Sequence, residues 1–467
     1  MMPRESLFEA MLSCVVGVVV VTGLLTSVRG NERPHVVVFL ADDLSLHECS
    51  PYGGSADLTP HMNQLAREGM TFTQAFVTSP SCAPSRASLL TGLYPIQHGA
   101  MLNHARPHST IKTWPQYFRE LGYETVAIGK VAHYAQVTEY GFDLTSHYRY
   151  HEDDCIDYAV SWLAQRRSSR PLCLIVGTNW PHVPWPEEEN TSFQPMPTCL
   201  IPTAETRQAY RRYLQAVQWA DRDLGKIHRA VREHLGENVL FVFSSDHGAQ
   251  FPFAKWNCYD YGVHVPLIIC WPKKVAAGMR SSALISWIDL LPTLLAACGG
   301  KPPMEIAGRS FLPVLLGHTA QHREVVILTH SGDGQKNRYP QRAVRTARWK
   351  YIRNLNPSAR HTTHIDTGNA GDGAMYFNSW IRLADHDASA ASVVQRYHHR
   401  PSEELYDLER DPWELHNLAA EPDYAEQLHQ LRVALDRWME QHQDRGLATE
   451  QELPPPRASS KKSRKSP

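Results

Sequence analysis

The chain of 467 residues is 42% hydrophobic and 20% charged, enough to bury a large core in two or three soluble domains. A formal net charge of −1 excludes an overall field for nucleic acid or for an anionic membrane surface, so any anion site must be local. Nine cysteines, odd in number and without a C-x-x-C pair, argue against a disulfide scaffold or a zinc ribbon; one or two bridges among Cys49, Cys155, Cys173, Cys199, Cys258, Cys270 and Cys298 stay open.

Residues 1–30 carry Arg4, an apolar run from Ala10 to Leu25, and Gly30 before the polar Asn31-Glu32-Arg33. The run is short for a membrane span and predicts a cleaved export signal, hence a secreted or periplasmic protein (lysosomal in a eukaryote) with no stable span after cleavage. Residues 35–40 form a continuous β-branched run, as in a strand buried on both faces of a parallel sheet, and deliver Asp42 and Asp43 to its carboxyl end. Thr59, Pro60 and Gly69 mark the cap, first turn and stop of a helix. Short strands at residues 125–128 and 172–176 empty into Gly129-Lys130, with His133 beyond, and into Asn179-Trp180-Pro181-His182. Asn190-Thr191-Ser192 is a glycosylation sequon, meaningful only in a eukaryotic secretory route. A long amphipathic helix over residues 204–235 has Tyr210, Leu214, Val217, Leu224, Ile227 and Val231 on its apolar side and Gly236 at its end. Residues 238–243 are a second buried strand, ending in Asp246 and His247, with Lys255 in the loop beyond.

Further on, residues 341–352 read as a hairpin, residues 404–408 as a strand, and residues 422–441 as a helix whose Leu428, Leu431, Leu435 and Trp438 form a core stripe. The pattern predicts an α/β domain over residues 31–318, built on a large mixed, mostly parallel sheet flanked by helices. A smaller α+β domain over residues 319–445 carries an antiparallel sheet, and a disordered proline-rich, basic tail occupies residues 446–467.

Ligand sites in open α/β sheets lie beyond the carboxyl ends of strands, so Asp42-Asp43 and Asp246-His247 can meet in space. Three carboxylates favour a hard divalent cation, calcium or magnesium, with the imidazole as the softer ligand. The stretch Ser81-Cys82-Ala83-Pro84-Ser85-Arg86, running on to Gly92, puts one sulfur at the positive end of a helix. A lone cysteine is usually a small buried hydrophobe. Here Pro84 suits the first turn, Ser85 offers a hydroxyl and Arg86 adds a fixed cation, which together describe an anion site. Lys130, His133, His182 and Lys255 fall in loops that follow strands, where functional residues concentrate.

At these motifs the chain resembles the sulfatase family, from about residue 33 to about residue 420. The resemblance implies an alkaline phosphatase-like sheet and a Cys82 converted by a formylglycine-generating or equivalent maturation enzyme. It implies one Ca2+ ion at Asp42, Asp43, position 82, Asp246 and His247, and a catalytic set of Cys82, Arg86, Lys130, His133, His182 and Lys255. The formylglycine hydrate would attack sulfur while His182 or His133 protonates the departing oxygen or nitrogen. His264 stands where many relatives carry Arg and is assigned no role.

Gln250-Phe251-Pro252, Arg353-Asn354-Leu355-Asn356 and Arg400-Pro401 resemble the heparan N-sulfatases, the N-sulfoglucosamine sulfohydrolases. The Lys130 to His133 spacing looks more like the iduronate 2-sulfatases, and Lys255 stands where the N-sulfatases have Arg. The reading is a sulfatase acting on a sulfated saccharide, N-sulfoglucosamine of heparan foremost. The alternatives are an O-sulfate of another glycosaminoglycan or algal polysaccharide, and a phosphonate or phosphodiester substrate.

Overall fold

In the computed structural model, which describes residues 33–187, 194–334, 337–368 and 373–453, the apolar runs become strands wherever neighbours cover both their faces. The expected export signal, the sequon at Asn190 and the tail from Pro454 lie outside the described residues. In chain order the strands are β1 His35–Ala41, β2 Met70–Phe72, β3 Ala75–Phe76, β4 Glu124–Gly129, β5 Leu144–Ser146, β6 Leu172–Gly177 and β7 Val239–Ser245. They continue with β8 Leu267–Cys270, β9 Met279–Ser281, β10 Ile285–Ser286, β11 Val326–His330, β12 Gln341–Arg345, β13 Trp349–Asn354 and β14 Glu403–Asp407.

Eight strands form one sheet in the order β5-β4-β6-β1-β7-β8-β2-β9. All its pairings are parallel except those that β8 makes with β7 and β2. The central β1, β6 and β7 are buried almost throughout, which is why their sequences are unbroken apolar runs rather than alternations. Because β4, β6, β1 and β7 are consecutive and parallel, their four carboxyl ends open side by side.

Two glycines pinch that edge together. Gly129 and Gly177 are register partners, and a Cβ on Gly129, whose φ is +76°, would come within 2.0 Å of the Gly177 carbonyl oxygen. The Lys130 N–H donates to that same carbonyl at 2.9 Å, so the lysine is fixed at its root.

The long helix Ala204–Leu235 spans 32 residues, with the Thr203 side chain accepting the Thr206 N–H at 3.1 Å. It packs on β1, β7 and the helices Cys155–Gln165 and Pro60–Glu68. Its Asp221 accepts the N–H groups of His61 and Met62 at 3.0 and 2.8 Å, and so caps the helix Pro60–Glu68 from outside. Thr59, the expected cap, turns its hydroxyl to Ser50 instead, at 2.8 Å. A carboxylate from a packed neighbour has displaced the local hydroxyl, a competition that no local pattern records.

The strands β11-β12-β13-β14 form a separate antiparallel sheet. The helix Ala425–Gln441 lays Leu428, Leu431, Leu435 and Trp438 against it, each worth roughly 1.5–3 kcal/mol of burial before entropy is counted. Asp260 joins the two sheets, reaching Arg345 Nη2 at 3.1 Å and the Lys350 ammonium. Burial alone would raise this carboxyl, but Arg345 and Lys350 outweigh it and hold Asp260 far below the usual range.

Two features correct the sequence reading. Between β13 and β14, where it assigns no element, stand the helices His364–Thr367, Ala374–Ala384 and Ala388–His398, with Trp380 Nε1 donating to Thr206 Oγ1 at 2.8 Å. The expected disordered tail does not begin at residue 446, because Leu447–Gln451 is a helix. Its Glu450 accepts from Arg342 Nη2 at 2.7 Å, and the fully buried Arg342 also pairs with Asp444 at 2.5 Å. A buried guanidinium needs such carboxylates, and that requirement holds the segment down. The eight described cysteines are all buried free thiols.

Candidate active site

Cys82 opens the helix Cys82–Thr91, every residue of which is buried, and Gly92 at φ +70° stops it with an N–H donated to the Ser88 carbonyl. The Asn103 side chain accepts the Ala83 N–H at 3.1 Å at the open end. The thiol of Cys82 is 3% exposed, with Sγ 3.2 Å from His247 Nε2 and 3.8 Å from Lys130 Nζ.

His247 is set by its neighbour. Its Nδ1 lies 3.0 Å from the Gly248 carbonyl, which can only accept, so Nδ1 carries the proton and Nε2 faces Asp43 Oδ1 and Asp246 Oδ2, each at 3.5 Å. Asp43, Cys82, Asp246 and His247 thus offer four buried ligand atoms within 4.8 Å of one another. Two carboxylates and one imidazole around a position that can present oxygen fit a hard divalent cation.

Asp42 stands beside this group with both oxygens engaged by cations: Arg86 Nη2 at 3.0 Å and Lys130 Nζ at 2.5 Å. Arg86 also donates Nε to Asp246 Oδ2 at 2.8 Å and Nη1 to the Lys130 carbonyl, tying the ends of β1, β4 and β7 together. Ser85 Oγ adds a bond to the Asp246 carbonyl at 2.6 Å. Lys255 Nζ reaches the two Asp43 oxygens at 2.7 and 3.0 Å, with Gln250 Oε1 at 3.3 Å.

Three carboxylates and three permanent cations therefore share one water-poor pocket. Burial would raise Asp42, but Lys130 and Arg86 overcome it and hold the carboxyl well below its usual range. For Asp43, burial, reinforced by Asp42 and Asp246, outweighs Lys255 and raises the carboxyl. Burial would lower His247, yet Asp246, Cys82 and Asp43 lift it to about 9.

The loops after β6 and β4 supply the two remaining histidines. His182 Nδ1 donates to the Val183 carbonyl at 2.6 Å, which leaves Nε2 turned toward Asp43 Oδ2 at 3.9 Å. Burial, then Lys130 and Lys255, push this imidazole well below its usual range. His133 is lowered likewise by burial and by His104, Lys130 and Arg86. Its Nε2 meets His104 Nδ1 at 2.6 Å, a residue the sequence did not single out. Asn103, His104 and Asp333 all sit at this site without a motif; the one local signal is that Asp333 follows a strand in the turn Ser331-Gly332-Asp333-Gly334.

Residues 34–300 match the family model described as Sulfatase. The chain belongs to the sulfatase family. This sulfatase also matches, over residues 247–364, the model described as N-sulphoglucosamine sulphohydrolase, C-terminal. It is 30% identical over 426 residues to an ulvan-active sulfatase of Formosa agariphila, covering 89% of this chain and 81% of that one. To the N-sulphoglucosamine sulphohydrolase of Homo sapiens it is 27% identical over 468 residues, covering 87% and 90%. Among solved structures it is similar, with a TM-score of 0.68 at 21% identity, to a protein in complex with its substrate D-glucosamine-2-N,6-O-disulfate, over 89% of this chain and 99% of the other. The expected alkaline phosphatase-like fold is borne out, and the sulfatase is a hydrolase of sulfate esters or sulfamates.

Proposed function

We propose that this sulfatase removes sulfate from a sulfated saccharide, N-sulfoglucosamine foremost, through a formylglycine made from Cys82 and with one bound calcium ion. The observation that carries the reading is the convergence on Cys82 of His247 at 3.2 Å and Lys130 at 3.8 Å, with Asp43 and Asp246 in the same ligand group. Asp43, Asp246, His247 and the oxygen that replaces Sγ would hold the ion, with the unused lone pairs of Asp42 at its edge. Bound there, the cation would supply Lewis acidity to the nucleophilic oxygen, and the hydrated aldehyde would supply that oxygen.

The remaining work falls to side chains. Lys130 and Lys255 bind the sulfo oxygens and offset the charge that builds as the S–O or S–N bond breaks. Arg86, with its donors taken by Asp42, Asp246 and the Lys130 carbonyl, keeps the strand ends in register. His182 and His133 rest neutral among cations; a bound sulfo anion raises their proton affinity, so that either can carry the proton given to the departing atom.

The match of residues 247–364 to the N-sulphoglucosamine sulphohydrolase C-terminal model, and the human relative, support an N-sulfated substrate. The ulvan-active relative supports a second reading, an O-sulfate of an algal polysaccharide. The short apolar run of residues 10–25 supports work outside the cytoplasm after signal cleavage, with maturation by a formylglycine-generating enzyme. The test is sulfate release from N-sulfoglucosamine, from 6-O- and 2-O-sulfated saccharides and from ulvan oligosaccharides. Release from the N-sulfated sugar is expected; release from O-sulfated substrates alone would replace the first reading by the second.

A further inference from the structure

Behind His133 lies a chain of groups that the reading above does not use. His133 Nε2 meets His104 Nδ1 at 2.6 Å, and His104 Nε2 faces Asp333 Oδ1 at 3.4 Å. The contacts span the molecule, since His104 follows the helix Pro95–His98 whereas Asp333 follows β11 of the second sheet. Backbone bonds bring the two loops together: the Asn103 N–H donates to the Gly332 carbonyl at 2.9 Å, and Leu102 bridges to Gly332. Asn103 Nδ2 and His364 Nε2 approach the other Asp333 oxygen at 3.4 and 3.7 Å.

We propose that His104 and Asp333 are positioning residues for His133, forming an Asp–His–His chain that fixes its tautomer and supports it, alongside His182, as a proton donor to the leaving group. The proposal rests on the sulfatase reading above. A carboxylate can only accept, so in the neutral imidazole of His104 the proton stands on Nε2 and Nδ1 is the acceptor. His133 must then donate from Nε2, and its Nδ1, buried without a protein partner, is the nitrogen left for chemistry. In the substrate complex the second proton sits on Nδ1. As the S–O or S–N bond breaks, its electron pair stays on the departing oxygen or nitrogen and takes that proton, leaving His133 neutral.

The chain answers an electrostatic problem. His133 faces Lys130 and Arg86, with Asp42 an opposing carboxylate on its own side, and Tyr134 and His104 packed against it. An imidazolium there needs a further negative charge, as the buried aspartate of a Ser-His-Asp triad provides for its histidine. Asp333 supplies it through His104, and its own carboxyl is held low, against burial, by His104, His364 and Asn103.

The test is leaving-group dependence in the matured full-length enzyme. Wild type, His104→Gly, His104→Asn and Asp333→Asn are assayed on aryl sulfates from 4-nitrophenyl to phenyl, with kcat followed against pH. The His104 side chain is 61% exposed and φ is +68°, so Gly and Asn both suit the position and folding is not at stake. Expected are losses in kcat of about twofold or less on 4-nitrophenyl sulfate, rising to tenfold or more on phenyl sulfate, whose leaving oxygen needs the proton. In Asp333→Asn the fall of kcat toward high pH should begin at lower pH. His104→Asn, whose Oδ1 replaces Nδ1 as acceptor, should recover part of the loss seen with Gly. Equal losses on all leaving groups, or a change in KM alone, would overturn the chain while leaving the sulfatase intact. A matured wild type inert to every aryl sulfate and to every sulfated saccharide named above would overturn the sulfatase reading and the chain with it.

Discussion

Cys82 Sγ lies 3.2 Å from His247 Nε2, although 165 residues separate them in sequence. The thiol points at an imidazole whose Nδ1 is held by the adjacent Gly248 carbonyl, so residue 82 borders the group of ligand atoms that Asp43, Asp246 and His247 offer. Any atom built onto residue 82 is held against that imidazole.

The first prediction concerns that atom. Peptide mass spectrometry of active enzyme should find residue 82 as the aldehyde, and Cys82→Ser should fold with unchanged melting temperature while turnover is lost. Active enzyme carrying only the thiol would remove the mechanism.

Ion binding follows from the four ligand atoms within 4.8 Å. Asp246→Asn, which preserves shape but removes charge, should weaken Ca2+ affinity by tenfold or more in calorimetry, and chelation should abolish activity. Full activity in enzyme shown metal-free by elemental analysis would refute the shared site.

His182→Ala should slow cleavage of an N-sulfated sugar by about 10²-fold or more, and that of 4-nitrophenyl sulfate much less, because only the poor leaving group needs a proton. Equal slowing on both would assign His182 to binding rather than acid catalysis.

A pH effect on stability is expected from Glu48, which is fully buried and accepts from Tyr210 at 3.0 Å. Burial raises it from 4.5 to about 7, with Tyr210 opposing. The native state then binds the proton more tightly than the unfolded chain, so stability falls as pH rises from 4.5 through 7, by about 3 kcal/mol in all. Glu48→Gln should melt higher than wild type at pH 8 and close to it at pH 5; the same difference at both would show that the carboxyl is not the cause.

The corrected tail boundary gives a further check. Glu450→Ala leaves the buried Arg342 with Asp444 alone and should cost about 2–4 kcal/mol in thermal unfolding. A cost below about 0.5 kcal/mol, the ordinary value for a surface change, would mean that the segment is not held by this pair.

The sequence was most legible where a residue's role is set by its own strand. Unbroken apolar runs mark β1, β6 and β7 because both faces are covered, and whatever follows such a run lands at the site; Asp42, Asp43, His182, Asp246 and His247 were all found this way. The motif at Cys82 was legible because helix start, cation and stop lie within ten residues, Cys82–Thr91. What stayed hidden depends on partners far along the chain. Asp221 capping His61 is a contact between two helices, and Asp333 reaching His104 joins two sheets' loops. The helices of residues 364–398 lie where the chain shows no long periodic run, and they are stabilised by packing on the helix of Thr206 rather than by their own pattern.

The depth of Cys82 also sets a clock. Its sulfur lies against His247, which follows β7, so the pocket around residue 82 cannot be complete until the ribosome has made residue 247. At about 5–20 residues per second, the 165 residues between them take on the order of 10–30 seconds to synthesise. A maturation enzyme of the kind proposed above would have that interval, while the chain is still open, to reach a sulfur that is 3% exposed once the protein is folded.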